Sequence, residues 1–513
     1  MAAPRPASLP TTTARALADL VGARASRLPD PLPVTGVVLD SRAVRPGDLY
    51  AALPGSRAHG ADFVGAAVAA GAVAVLTDER GAEVAAASGP DVPVLVVDDP
   101  RAVLGTVSAR VYGTEDSPVR MVGVTGTNGK TTTAYLLRSA LDALGHRTGL
   151  IGTVETCLGE ERVRSVRTTP EAPDLHALLA VMAERRLDTC VMEVSSHALA
   201  QHRVDGVVFD VALFTNLSQD HLDFHGTMEE YFAAKAGLFT PQRARAGLVC
   251  VDDEWGRALK GRAGVPVTTL TTRPDRAADW TVTPVAGDPA AFTLASTDLS
   301  LHLRSTLPGD FNVTNTAMAA VALLLTGERP EDVRRAVLSD PHVPGRMERV
   351  AGGPASGGAP SGVVDYAHTA EAVAAALGAL RPATEGRLVV VLGAGGDRDR
   401  GKRRAMGEAA ARGADVVVVT DDNPRSEQPS GIRAALLDGA RAGGTAVEVL
   451  EVADRRAAIR RAVAEAAVVP GSVVAVVGKG HETGQDVAGL VSPFDDRVEL
   501  RAALDALATG GLS

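Results

Sequence analysis

The residue types best suited to chemistry lie in a glycine-rich stretch directly after an apolar run. Residues 122–133 read VGVTGTNGKTTT. Backbone N–H groups in such a loop converge on anionic oxygens, and the following helix N-terminus adds partial positive charge. The lysine would reach the β- and γ-phosphates of a nucleotide, and the next hydroxyl would bind Mg²⁺. The spacing is GxxGKTT, a compressed form of the standard phosphate loop, which has glycine where this chain has Val124. We therefore predict an ATP site that includes Gly126, Thr127, Asn128, Gly129, Lys130, Thr131 and Thr132.

Two more residues are suited to completing a metal site beside this loop. Glu193 ends the apolar run TCVMEV, and His221 follows the run VALFTNL. Residues at the carboxyl ends of strands face the ligand crevice of an α/β sheet, so both side chains are expected there. We predict Mg²⁺ held by Thr131, Glu193 and His221. The spacing of His221 and His225 raises zinc as an alternative, but no HExxH pattern accompanies it, which disfavours zinc.

The scarcity of lysine and asparagine points to the same stretches. Of 52 basic residues only 5 are lysine, and there are only 5 asparagines. Where arginine dominates, a lysine is expected at places that need an ammonium group, because the two cations are not interchangeable. All of these lysines and asparagines except Lys260 lie within motifs that could do chemistry. They are Lys130, Lys235, Lys402 and Lys479, and Asn128, Asn216, Asn312, Asn315 and Asn423.

Strand-like and helix-like patterns alternate along most of the chain, which predicts an α/β protein with mostly parallel sheets. We expect three domains: a small α/β domain over 1–118, a central phosphate-loop domain over 119–345, and a Rossmann-like domain over 346–513. Residues 270–306 are predicted to add an antiparallel piece. The Gly/Ala/Pro/Ser-rich segment 351–362 is predicted to be a flexible surface loop.

Composition excludes several classes of protein. The net charge of −10 disfavours binding to nucleic acid or to a membrane surface. The longest apolar run, residues 63–76, is too short to span a bilayer, and residues 1–30 lack a signal peptide's apolar core. The 3 cysteines give neither a disulfide framework nor a metal spacing. We expect a cytoplasmic protein, and a monomer.

Nine motifs in order make the chain resemble the bacterial Mur ligase family: GTNGKTT, EVSSHALAQHR, FTNLSQDHLDFHG, LPGDFNVTN, PGRME, DYAHT, GAGGDRDRGKR, DNPR and GKGHET. The resemblance extends from about Leu39 to Arg497. It implies a UDP-binding domain, a central ATPase and a domain that binds an incoming amino acid. The implied reaction uses ATP to activate the carboxylate of UDP-N-acetylmuramoyl-L-alanyl-D-glutamate as an acyl phosphate, which the amine of meso-2,6-diaminopimelate attacks. The product belongs to peptidoglycan precursor synthesis.

The resemblance also implies roles for individual residues. Lys235 matches a lysine that takes up CO₂ to form a carbamate (N6-carboxylysine) and helps to hold Mg²⁺, so Lys130, Glu193, His221 and Lys235 form the implied catalytic set. Asn312 and Arg346 match positions near ATP. The implied contacts to the UDP-linked substrate are Leu39, Ser41, Ser56, Arg57, Ala58, Thr168, Thr169, Ser195, Gln201 and Arg203. Those to diaminopimelate are Arg398, Asp422, Asn423, Pro424, Arg425, Gly478 and Glu482.

Arg425 carries the most information about the amino acid. A guanidinium reads a carboxylate bidentately, and meso-diaminopimelate differs from lysine by one carboxylate. Three alternatives stay open: a lysine-adding version of the same ligase, a folylpolyglutamate synthase, and an ATPase whose hydrolysis drives a conformational switch. LDSR and DNPR disfavour the second, and the third gives DNPR and GKGHET no role.

Overall fold

A computed structural model describes residues 4–25, 28–55, 58–88, 92–351, 360–444 and 447–509. The first part of the chain forms a small five-stranded sheet in the order β2-β7-β6-β5-β4, parallel except for β2. Helix α4 is capped by the side chain of Asp99. The strands are β1 (Thr12–Thr13), β2 (Arg24–Ala25), β3 (Pro33–Val34), β4 (Gly36–Val38), β5 (Asp48–Ala51), β6 (Ala74–Thr77) and β7 (Val94–Val96); the helices are α1 (Ala14–Val21), α2 (Val64–Ala69), α3 (Glu79–Ser88) and α4 (Pro100–Tyr112).

The central part forms an eleven-stranded sheet in the order β11-β10-β9-β12-β8-β13-β14-β15-β16-β17-β18. Its strands are β8 (Arg120–Thr125), β9 (Thr148–Ile151), β10 (Glu155–Leu158), β11 (Glu161–Arg164), β12 (Thr189–Glu193), β13 (Phe209–Phe214), β14 (Ala244–Cys250), β15 (Val267–Thr271), β16 (Trp280–Val285), β17 (Asp288–Ala295) and β18 (Ser300–Arg304). Its helices are α5 (Lys130–Ala143), α6 (Ala172–Glu184), α7 (Ser196–Ala200), α8 (Leu222–His225), α9 (Met228–Ala236), α10 (Glu254–Arg262), α11 (Asp310–Leu325) and α12 (Pro330–Ala336).

In the sheet order, the strands from β9 across to β16 are parallel, and the apolar strands at the centre of this run are covered on both faces. On one face α5 and α11 bury Leu137, Leu141 and Val321, while on the other α6 and α9 bury Leu178 and Phe232. The antiparallel piece expected over residues 270–306 comprises β16, β17 and β18. The expectation was wrong for β16 in one respect, since this strand also pairs in parallel with β15 and so extends the main sheet.

The last part forms a six-stranded sheet in the order β19-β20-β24-β21-β22-β23, parallel except for β19. Its strands, with a separate hairpin of β25 and β26, are β19 (Glu348–Val350), β20 (Ser361–Asp365), β21 (Leu388–Leu392), β22 (Val416–Val419), β23 (Glu448–Glu451), β24 (Val473–Val477), β25 (Gly484–Val487) and β26 (Leu490–Pro493). Its helices are α13 (Ala370–Leu380), α14 (Lys402–Gly413), α15 (Pro429–Gly443), α16 (Arg455–Ala467) and α17 (Asp496–Ala508).

The predicted α/β class with mostly parallel sheets is confirmed, whereas the domain limits at 118 and 345 stay predictions. The predicted loop over 351–362 was wrong at its end. Ser361 and Gly362 begin β20, because the short apolar run that follows them pairs with β24 in the core. The rest of that loop lies mostly outside the described residues. Within the described part of the chain, none of the helices has both the length and the apolar character needed to cross a bilayer.

Truncating Leu213 should destabilise the central sheet. Leu213 is fully buried in β13, where it lies opposite Val124 of β8. We expect Leu213→Ala to lower the free energy of unfolding by ~2–5 kcal/mol, because a cavity forms where the sheet cannot collapse. Calorimetry of thermal unfolding measures the loss. The control, Leu338→Ala, removes a side chain that is 52% exposed. Equal effects of the two substitutions would contradict the assigned core.

Candidate functional site

The glycine-rich loop connects the end of β8 to the start of α5, as the sequence predicted. Gly126 and Gly129 have φ angles of +148° and +87°, which residues that carry a side chain rarely adopt. A Cβ on Gly129 would also lie 2.5 Å from Oδ1 of Asn315. The glycines therefore let the backbone curl tightly, which is the geometry that aims N–H groups at phosphate oxygens.

Two lysines converge on this loop from different helices. Lys130 donates to the carbonyl oxygens of Gly126 and Thr127 at 3.0 and 2.9 Å. Lys235, in α9 and 1% exposed, donates to the same Gly126 oxygen at 2.8 Å. Burial and the nearby Lys130 ammonium lower the pKa of Lys235 well below its ordinary value. The fold thus favours a neutral amine at Lys235, which is the form that can react with CO₂.

The predicted metal ligands lie around the same loop. The Thr131 hydroxyl donates to Oε2 of the fully buried Glu193 at 2.8 Å, and the Thr153 backbone N–H donates to Oε1 at 2.8 Å. Burial lowers the pKa of His221 to about 3, so its ring is neutral at neutral pH. A hydroxyl beside a carboxylate fits Mg²⁺, which prefers oxygen ligands and takes several from water and phosphate. Among the described residues no three His, Cys, Asp or Glu side chains are grouped to hold a metal.

A cavity of about 370 Å³ opens between this loop and the C-terminal sheet. Arg346 donates to the Thr131 hydroxyl at 3.1 Å, and its guanidinium lies 4.3 Å from the ring centre of Tyr366. The cavity thus brings together the predicted nucleotide residues Asn128, Gly129, Thr132, Asn312 and Arg346 with Asp365 and Tyr366 from the end of β20.

A second cavity of about 430 Å³ lies next to it and combines two predicted sets. Central-domain residues predicted to contact the UDP-linked substrate form one side, and residues predicted to contact the amino acid form the other. The lining includes Thr168, Thr169, Ser195 and Arg203 from the first set, and Arg398, Asp422, Asn423, Arg425, Gly478 and Glu482 from the second.

The first of these sets is held by short polar contacts. The Thr169 hydroxyl donates to the Glu193 carbonyl at 2.9 Å and accepts from the Ser195 N–H at 3.0 Å, which ties this wall to the end of β12. The Thr168 hydroxyl accepts from Thr153 at 3.0 Å. Gln201 does not line the cavity, and its side-chain oxygen accepts a hydrogen bond from Arg203 at 2.5 Å.

The residues of the first domain that were predicted to contact the UDP-linked substrate lie away from both cavities or outside the described residues. Leu39 follows β4 and Ser41 begins a short 3₁₀ turn capped by Asp40, and Ala58 is exposed. None of these three lines either cavity. Ser56 and Arg57 lie outside the described residues.

The amino-acid side of the second cavity has a charged network that sequence reasoning captured only in part. Asn423 donates to Glu482 at 2.7 Å. Lys479, which is fully buried, donates to Asn423 Oδ1 at 3.0 Å and lies 3.5 Å from Asp422. Lys479 was not among the predicted binding residues. Its presence in the motif GKGHET, in a chain with few lysines, could have indicated it.

Arg425 lines the same cavity as Asn423 and Glu482 of this network. Its Nη1 donates to the Gly396 carbonyl at 2.7 Å, and its backbone is held by bonds with Asp486 and Ala488 at 3.0 and 2.8 Å. Arg425 also lines a larger cavity of about 650 Å³, so its side chain stands where the two spaces meet. Pro424 carries the chain between Asn423 and Arg425 but does not line the second cavity.

Asp220 is a residue of this site that the sequence did not single out. It is buried beside His221, and its carboxylate lies 3.4 Å from Lys402 and 3.7 Å from His368 of the C-terminal part. Burial alone would raise the pKa of Asp220, but His368, His221 and Lys402 together hold it far below its usual range. Its carboxylate therefore bridges the two halves of the cleft; its place in SQDHLD, next to His221, was the available signal.

Comparison with known proteins gives concordant matches along the chain. The Mur ligase family catalytic domain matches residues 33–112, the Mur ligase middle domain matches 124–323, and the Mur ligase glutamate ligase domain matches 345–480. The UDP-N-acetylmuramoyl-L-alanyl-D-glutamate--2,6-diaminopimelate ligases of Streptomyces avermitilis and Corynebacterium glutamicum are 52% and 49% identical, over 98% and 92% of both chains.

Solved structures agree with these relatives. A structure of a UDP-N-acetylmuramoyl-L-alanyl-D-glutamate--2,6-diaminopimelate ligase matches at a TM-score of 0.65 and 32% identity, covering 97% of this chain and 99% of that one. A MurF ligase from Thermotoga maritima in complex with ADP shares the fold at a TM-score of 0.63 and 18% identity, over 94% and 99% of the two chains. The chain belongs to the Mur ligase family.

Proposed function

We propose that this protein is the ATP-dependent ligase that joins meso-2,6-diaminopimelate to UDP-N-acetylmuramoyl-L-alanyl-D-glutamate. The observation that carries the proposal is the cavity shared by Thr168, Thr169 and Ser195 on one side and by Asn423, Arg425 and Glu482 on the other. A carboxylate held on the first side and an amine held on the second would meet there. The nucleotide cavity adjoins it, since Tyr366 and His368 line both.

The glycine-rich loop and two cations, Lys130 and Arg346, would serve the phosphoryl-transfer half of the reaction. Lys130 and Arg346 would neutralise charge on the γ-phosphate as it moves to the substrate carboxylate. Thr131, Glu193, His221 and carboxylated Lys235 would hold Mg²⁺, which when bound supplies further charge neutralisation on the phosphates. The transfer gives an acyl phosphate and ADP.

In the second half, the amine attacks the acyl carbon, and the phosphate leaves as the amide forms. The attacking nitrogen must be neutral, so it has to lose a proton before or during attack. Asp422, Asn423 and Glu482, which line the amino-acid side of the cavity and contact the buried Lys479, would hold the incoming amino acid. Such a network fixes the orientation of an amino acid that carries ammonium and carboxylate groups at both ends.

The choice of amino acid would depend on Arg425. Among the described residues, the guanidinium of Arg425 donates only to the carbonyl of Gly396. Its other N–H groups can therefore donate to a carboxylate of the ligand. The relatives named as diaminopimelate ligases support this acceptor over lysine. We retain ATP and Mg²⁺ as the required cofactors, with small molecules as the only partners.

Removing the phosphate-loop ammonium should abolish turnover. Lys130→Ala is expected to lower kcat by about 10²–10⁴, because a charge clamp on the transferring phosphoryl group is lost. The matched control is Lys260→Ala, an exposed lysine in α10. The measurement is ADP formation with both substrates present. Lys130→Ala activity within about threefold of wild type would sink the assignment of the loop.

Replacing Lys235 tests the carbamate. Lys235→Ala should be nearly inactive, and a short carboxylic acid at high concentration should restore part of the activity by entering the vacated space beside Gly126. Lys235→Arg should remain inactive, because guanidinium cannot be deprotonated to react with CO₂. An active arginine variant would refute the carbamate role.

Acceptor selectivity tests the proposed function directly. Wild type should use L-lysine less efficiently than meso-diaminopimelate by roughly 10³-fold or more in kcat/KM, because the unpaired polar groups of the site reject an analogue that lacks a carboxylate. Arg425→Ala should lose most diaminopimelate activity through weaker acceptor binding while ATP binds normally. Arg404→Ala, an exposed arginine of α14, is the control.

Two results of this comparison would contradict parts of the proposal, the first the choice of amino acid and the second the role of Arg425. If the wild-type enzyme prefers lysine, the assignment of diaminopimelate is wrong, although the protein would still be a ligase. An Arg425→Ala variant with full diaminopimelate activity would remove the role of Arg425 but not the reaction. Backbone strain does not confuse the comparison, since alanine and arginine both carry a Cβ at the φ of +52° found here.

A further inference from the structure

One fully buried guanidinium, that of Arg455, does not line the second cavity but contacts segments that lead into its amino-acid side, here called the acceptor pocket. Arg455 is the first residue of α16 and its side chain is completely shielded from solvent. Its Nε and Nη2 donate to the two carboxylate oxygens of Asp496, at 2.7 and 2.8 Å. Asp496, the first residue of α17, is equally buried, so the bidentate pair joins the starts of two helices.

The pair alone does not satisfy the guanidinium, which also donates at the ends of two strands and packs against the end of a third. Nη2 donates to the carbonyl of Val477, the last residue of β24, at 2.9 Å. Nη1 donates to the carbonyl of Asp421, just after β22, at 3.4 Å. Nη1 also lies 3.1 Å from where a Cβ would stand on Gly393, directly after β21.

Those three strand ends lead straight into the acceptor side of the cavity. Asp421 precedes Asp422 and Asn423, and Val477 precedes Gly478 and Lys479. The segments also touch one another. A Cβ on Gly478 would lie 2.7 Å from Oδ2 of Asp422, so a small shift of either loop changes the pocket.

We propose that Arg455 is a positioning residue for the acceptor pocket, one that fixes the loops after β21, β22 and β24 relative to one another. The inference rests on the proposed function, because it takes this pocket as the amino-acid site. A planar guanidinium with five fixed donors can hold a carboxylate and two carbonyls at once, which an ammonium cannot do in the same geometry. Burial alone would lower the pKa of Arg455, but Asp496, Asp422 and Glu482 together raise it, so its charge is secure.

The principal test is Arg455→Lys, which keeps the charge and can still pair with Asp496. We expect KM for diaminopimelate to rise at least about tenfold, since misplaced binding groups cost affinity, while KM for ATP and for the UDP-linked substrate stays within about twofold. The matched control is Arg456→Lys. Arg456 is the next residue of α16, and on the surface it pairs with Glu499 of α17, the helix that also carries Asp496. The three KM values of this control should not change.

A second variant separates positioning from stability. The double substitution Arg455→Met with Asp496→Leu removes both buried charges and keeps apolar volume, which often leaves stability unchanged or improved. We expect it to melt close to the wild-type Tm and yet show the same selective rise in KM for diaminopimelate. If Arg455 only stabilises the fold, a double variant with the wild-type Tm should also have the wild-type KM for diaminopimelate.

The outcomes are distinct. KM for diaminopimelate within about twofold of wild type in either variant, or a parallel rise of all three KM values, overturns the positioning role alone. A wild type that does not use diaminopimelate overturns the proposed function, and the inference with it. A selective rise in both variants, with Arg456→Lys unchanged, supports it.

Discussion

Parallel strands place all their carboxyl ends at one edge of a sheet, and this constraint governs the whole site. The central sheet brings the ends of β8, β12 and β13 together, and with them the phosphate loop, Glu193 and the segment around His221. The C-terminal sheet does the same with β20, β21, β22 and β24. Both cavities are lined by residues from the two edges, so neither sheet alone completes a binding site.

Bringing two polar edges together buries polar and charged groups, and the fold gives several of them partners. The Gly126 carbonyl accepts from both Lys130 and Lys235, Asp220 is surrounded by Lys402, His221 and His368, and Lys479 lies among Asp422, Asn423 and Glu482. Unpaired charges at such depth would cost several kcal/mol each, on the order expected for desolvated ions. The same compensation holds the polar groups in fixed directions before a ligand arrives, which is the preorganisation that catalysis of group transfer requires.

The sequence predicts those parts of the site that are written in one continuous stretch. The loop from Gly126 to Thr132 combines glycines, a lysine and hydroxyls in order, so its position and chemistry follow from spacing alone. Asp220 and Arg455 could not be found in this way. Their partners are Lys402 and Asp496, and which residues meet across such separations is set by how the sheets and helices pack. Strand β20 was partly missed for a related reason, since its short apolar run gains its meaning from pairing with β24.

In the proposed reaction, ATP phosphorylates a substrate carboxylate and is not simply hydrolysed by water. The most direct measurement labels both oxygens of the reacting carboxylate with ¹⁸O and follows the phosphate released during turnover by mass spectrometry. If an acyl phosphate forms and the amine attacks its carbon, the bridging oxygen leaves with phosphorus, and each phosphate carries one ¹⁸O. Unlabelled phosphate released at the rate of amide formation, or released equally without the carboxylate substrate, would contradict the account.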